Sequence, residues 1–155
     1  MLHIALYPHN NQVSAQAFLL ALRARGYHPR VVVTDLCQDY GAVIAQVFPQ
    51  AVHHECIFHA LQNLQTHFKE VYGDDYAQTH PEAVALKQEM YAIFEAQTKR
   101  TAEKRYERVM AQREKYVQET AGAAVLFDFL ERHWPKLVNG IESCLLYTSP
   151  SPRDS

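Results

Sequence analysis

The residue best placed to do chemistry is Asp35. It follows Val31, Val32, Val33 and Thr34, a short β-branched run that reads as a strand covered on both faces. Ligands of open α/β sheets gather beyond the carboxyl ends of the strands, and a carboxylate there can take a hard divalent cation. The ordinary alternative is a turn residue whose side chain bonds nearby backbone N–H groups. Cys56 and His59 stand in Cys-x-x-His spacing. They are half a zinc set, because zinc takes four ligands in tetrahedral array. His53, His54 and His67 lie near, yet no second ligand pair completes the set, so a buried Cys and a hydrogen-bonded His is the simpler reading and zinc the lesser one. Lys99, Arg100, Lys104, Arg105 and Arg108 crowd one stretch of helical pattern. They suit a salt-dependent, sequence-blind contact with DNA phosphates, or else form a solvated face laced by Glu103 and Glu107.

The elements that must position these residues follow from periodicity. Leu2, Ile4 and Leu6 alternate with His3, Ala5 and Tyr7, a strand pattern that Pro8 ends. Ser14 can cap a helix whose Ala15, Phe18, Leu19 and Leu22 share a face, and Gly26 suits its C′ position. Strand, helix and strand then make a right-handed crossover with a parallel pair. After Asp35, Asp39 can cap a short helix to Val47, which Phe48-Pro49 ends. Ala51–His54 reads as a short strand, and Ile57 to about Tyr72 as a helix that Gly73-Asp74-Asp75 breaks. Pro81 fits a first helical position. The pattern beyond it carries Leu86, Met90, Ile93, Phe94, Ala102, Tyr106, Val109, Met110, Tyr116 and Val117 along one stripe. It is too long for one globular helix, so a break is expected near Thr98–Thr101, with Gly122 ending it. A last helix begins with Val125, Leu126, Phe129 and Leu130, and Trp134-Pro135 is expected to close it.

The run VVVTDLCQDYGAVIAQVFPQAVHHECIFHALQNL resembles the centre of DDE-type insertion-sequence transposases. In that family a strand ending in Thr-Asp carries the second catalytic carboxylate, a helix ending in Phe-Pro follows, and a strand and a Cys-x-x-His element come next. The resemblance extends over Leu2 to about Ile141. It implies a fold class of α/β type: a partial ribonuclease H-like core, as a parallel strand pair with a crossover helix, followed by a mainly α-helical insertion. It implies Mg²⁺ as cofactor, Asp35 as the second metal ligand, DNA at transposon ends as partner, and a homo-oligomer when complete. The first carboxylate is then expected upstream of Met1, and the third on a helix beyond the insertion. Asn139-Gly140-Ile141-Glu142 lacks the Thr and paired Asn of the usual motif, so that role is not carried to Glu142. A single Asp cannot hold two Mg²⁺ ions in near-octahedral oxygen coordination, and the 155-residue chain by itself is expected to be inactive.

Composition limits the rest. With 48% hydrophobic and 21% charged residues, the chain has the make-up of an ordinary soluble domain. The net charge of -2 gives no hint of a nucleic-acid partner. Three cysteines without framework spacing fit a reducing compartment. With no apolar run of membrane-spanning length, no membrane partner is expected and a cytoplasmic protein is. The expected organisation is a partial core over 1–60, a helical insertion over 61–135 and an end segment over 136–155. Within the last, Cys144–Ser155 resembles translated sequencing-adapter sequence, so the native reading is expected to stop near Ser143. The alternative function is a non-catalytic helical binding module for nucleic acid or protein. A small phosphoryl-transfer domain with Asp35 as acceptor is a third reading; it wants further acids near the first strand, where His3, Tyr7 and His9 stand.

Overall fold

In the computed structural model, residues 12–34 and 40–147 are described, 142–147 as backbone only. The chain divides into two compact units, Met1–Cys56 and Ile57–Ser155. The first expected strand, Leu2–Tyr7, and with it the first crossover, lies outside the described residues.

In the first unit, α1 (Gln12–Ala24) leads through a loop to β1 (Val31–Thr34), then α2 (Gly41–Val47) and β2 (Val52–Glu55). The two strands pair in parallel, with Val31 opposite Val52 and Thr34 opposite Glu55. A parallel pair needs a crossover, and α2 occupies it. Ala15 and Leu19 of α1 and Val43, Ile44 and Val47 of α2 are buried with Val32, Tyr40 and Phe48. The end of α1 explains how the chain turns into β1. Gly26 takes φ +89°, its N–H bonds the Arg23 carbonyl, and the Tyr27 N–H reaches back to the Leu22 carbonyl. This is the double bond of a Schellman cap, in which a residue with a Cβ would be strained.

Four expectations for this unit need correction. Ser14 lies inside α1, which begins at Gln12, and does not cap it. Phe18 is 44% exposed, because only Ala15 and Leu19, four residues apart, face the core squarely. The N-cap of α2 is Tyr40, without a side-chain cap; Asp39 itself lies outside the described residues. The second strand begins at Val52, one residue later than periodicity places it. In it Val52 is exposed while His53 and His54 are buried. Consecutive residues can both be buried where a parallel strand is covered on both sides.

The second unit is helical: α3 (Ile57–Tyr72), α4 (Tyr76–Thr79), α5 (Pro81–Phe94), α6 (Lys99–Met110), α7 (Arg113–Glu119), a 3₁₀ turn (Ala121–Ala123) and α8 (Ala124–Tyr147). Leu64 and Phe68 of α3, Leu86, Met90 and Ile93 of α5, Ala102 and Val109 of α6, and Leu126, Phe127 and Leu130 of α8 form one core. Gly73 stops α3 with φ +96°. The long apolar stripe breaks where expected: Thr98 caps α6, its hydroxyl oxygen accepting the Thr101 N–H at 3.2 Å. A second break, at Ala111-Gln112, separates α7. The expected stop at Trp134-Pro135 is overturned, because α8 runs through Pro135 to Tyr147. The missing N–H costs one bond to the carbonyl four residues back. Pro135 is exposed while Leu130 and Leu137 on either side are buried, and that burial carries the helix across the gap. Val125 is 44% exposed, and its place in the core goes to Phe127. Of the stretch set apart as a tail, Cys144–Tyr147 continues α8 as backbone, and the rest lies outside the described residues.

Candidate functional site

The candidate metal ligand Asp35 lies outside the described residues. The strand that leads into it is described to its last residue. Thr34, 5% exposed, shares a 2.8 Å hydrogen bond with Nε2 of His53, itself buried on β2. The Cys56 N–H donates to the Thr34 carbonyl at 2.9 Å. The carboxyl end of β1 is therefore tied to β2 by a side-chain bond and a backbone bond, immediately before Asp35 in the chain. A buried polar pair of this kind fixes register, because breaking it leaves polar groups unsatisfied in a low-dielectric interior. Sequence reasoning passed over Thr34 and His53 as a pair. The signal was there: two polar residues in otherwise apolar strands, each needing a partner if buried.

The structure treats the Cys-x-x-His element differently from expectation. Cys56 is a free, half-buried cysteine, not a buried one, and His59 is exposed at the start of α3. The ring of His59 stands edge-on to Phe58, 65% exposed, at 6.0 Å. The three other histidines have separate engagements. His53 bonds Thr34, His54 Nδ1 lies 3.3 Å from the Glu55 carbonyl, and His67 Nδ1 lies 3.2 Å from Glu70. Among the described residues no three His, Cys, Asp or Glu side chains converge on a point.

The five basic residues of α6 are sorted into different roles. Arg100, Lys104 and Arg108 are exposed at i, i+4 and i+8. That spacing puts them in one strip, about 6 Å apart along the axis, on the side away from Ala102 and Val109. Arg105 is half-buried and turns aside, its Nη1 donating to the Ala92 carbonyl near the end of α5. A guanidinium there also meets the negative end of the helix dipole, so its position is explained without DNA. Lys99 is half-buried in the first turn. Glu103 and Glu107 are exposed beside the strip. What remains of the expected basic face is a row of three cations, suited to phosphates and carrying no means of reading bases.

In a comparison with known protein families, the chain matches the model of "Transposase, Mutator family" over residues 1–139. The chain belongs to the Mutator family of transposases. No curated protein and no solved structure is similar enough to the chain to match it. Membership in a transposase family makes DNA the general partner of the protein. In this Mutator-family chain the Thr34–His53 lock, the Cys-x-x-His element and the α6 strip all fall inside the matched residues. No described helix is long and apolar enough to cross a membrane.

Proposed function

We propose that this chain is the central part of a DDE-type transposase with a ribonuclease H-like core, and that Asp35 is the second of its three metal-binding carboxylates. The observation that carries the reading is the parallel β1–β2 pair, whose first strand is locked at its carboxyl end by Thr34 and His53 directly before Asp35. In the complete protein such carboxylates would hold Mg²⁺, which when bound would supply Lewis-acid assistance to an in-line phosphoryl transfer. A carboxylate oxygen is the donor that Mg²⁺ takes, and Asp35 is the residue of this chain that would supply it. The task of the chain's own residues is to hold that carboxylate still.

The test is an excision assay with the gene in its genomic frame and a donor plasmid carrying the element's ends. Asp35→Asn keeps the size of the side chain and removes its charge. Excision should drop at least a hundredfold, in keeping with other losses of a group that stabilises developing charge. Excision at the wild-type level would overturn the reading.

The α6 strip favours a second reading, a helical nucleic-acid-binding module. The helical unit has a core of its own and carries the strip on its outside. Under that reading Asp35→Asn leaves function intact, whereas Lys104→Gln with Arg108→Gln removes it.

A further inference from the structure

Charge in the first unit is segregated. Residues 1–34 contain no Asp or Glu, and its arginines are Arg23, Arg25 and Arg30. Its acids, Asp35, Asp39 and Glu55, all come at or after the carboxyl ends of β1 and β2. At the amino ends of the same strands lies an open groove of about 430 Å³. Arg23, His28 and Arg30 line it from the α1–β1 side, and Phe48, Pro49 and Gln50 from the α2–β2 side. Among the described residues, none that lines it is acidic. A concave surface of one sign concentrates counter-charge more strongly than a flat one.

The local structure keeps these side chains in place. The Schellman cap at Gly26 turns the chain so that Tyr27, His28 and Arg30 follow in an exposed loop, with Tyr27 48% exposed. Arg23 Nη1 donates to the Val47 carbonyl at the end of α2 at 3.4 Å, which fixes one wall. Arg30 is exposed and lines the same groove, and among the described residues no lining side chain is a carboxylate.

We propose that this groove is a second DNA contact, holding backbone phosphates of the duplex on which the transposase acts. The proposal rests on the transposase reading for its choice of partner, and it is independent of Asp35 and of the α6 strip. The contact is electrostatic and sequence-blind: guanidinium groups displace counterions from phosphates, with the His28 ring beside them as a hydrogen-bonding group, and affinity falls with salt accordingly.

The test is fluorescence anisotropy of the full chain with a short labelled DNA duplex, titrated with salt between about 50 and 200 mM. His28→Gln with Arg30→Gln should weaken binding about tenfold at the low-salt end and reduce the slope of log K against log salt by about one. Arg30→Lys should keep most of both. The two altered side chains are exposed or line an open groove, so the melting temperature should not move. If it does, Arg30→Lys alone, with its charge retained, separates folding from charge. Unchanged affinity and slope in the double variant, or no binding of the duplex by the intact chain, overturns the proposal. Asp35→Asn should leave this binding intact while abolishing excision, so failure of the groove and failure of the catalytic reading are told apart.

Discussion

The ring of Tyr106 on α6 lies flat against that of Trp134 on α8, with centroids 4.2 Å apart and planes within 1°. Phe94 at the end of α5 approaches the same indole at 6.4 Å. Three helices thus meet at the chain's one tryptophan. Tyr106→Ala should cost about 2–3 kcal/mol, less than the loss of a fully buried large aromatic, because the site is only partly buried. Urea denaturation followed by Trp134 fluorescence reads both the loss and a red shift of emission. An unchanged midpoint would show that the stack carries no stability.

Arg105 and Lys104 are neighbours with opposite expected phenotypes. Arg105→Gln removes the bond to the Ala92 carbonyl and should destabilise the helical unit by about 1–2 kcal/mol, as a charge-assisted bond near a helix end does. Lys104→Gln, on the exposed strip, should change stability by less than about 0.5 kcal/mol. It should also reduce the salt slope of DNA binding by about one. Thermal melts and anisotropy of the two variants check the split. Equal effects on both measurements would refute it.

Burial of the Thr34–His53 pair predicts that Thr34→Val is not the mild change its shape suggests. It leaves His53 Nε2 without this partner inside the unit, at a cost of about 1–3 kcal/mol. Denaturant unfolding of the full chain, monitored by circular dichroism, would show the loss. Hydrogen exchange at the Cys56 amide should speed up in parallel.

Four phenols of the helical unit, Tyr72, Tyr91, Tyr106 and Tyr116, are held above their ordinary pKa of 10.0, in each case first by burial. Nearby carboxylates add to the effect: Glu82 at Tyr72, Glu131 at Tyr106 and Glu89 at Tyr116. A pKa raised on folding gives stability that is complete below the unfolded value and lost as pH climbs through the folded one. The melting temperature should therefore respond little to these groups from neutral pH to about 9.5 and fall steeply above about 10. The phenolate absorbance of these four tyrosines should appear together with unfolding. Phenolate formed at these four positions in the still-folded protein near 10.0, read as the absorbance lost when each is changed to Phe, would contradict the burial argument.

At Gly26, φ is +89° with open space around the Cα. Gly26→Ala meets no clash and still pays for the left-handed backbone, about 1 kcal/mol. An undiminished melting temperature for that variant would mean the α1 cap can reopen without cost.

Local chemistry made much of this protein legible from its residues. Val31–Thr34 is a strand because it is β-branched and apolar, Gly26 and Gly73 end helices because only glycine sits easily at positive φ, and Pro81 opens α5. The Thr-Asp and Cys-x-x-His elements marked a transposase before any fold was seen, and the match to the Mutator family over residues 1–139 shows one. Tertiary packing decided what local rules could not. Pro135 should stop a helix, yet buried Leu130 and Leu137 hold α8 together across it. His53 and His54 read as polar, yet the register of β2 buries them and exposes Val52. Five cations looked alike in the sequence, and only the fold turned Arg105 onto α5 and left Arg100, Lys104 and Arg108 outward. Periodicity reports which residues share a face. Which face meets another element, and with what partner, is set by contacts between residues distant in the chain.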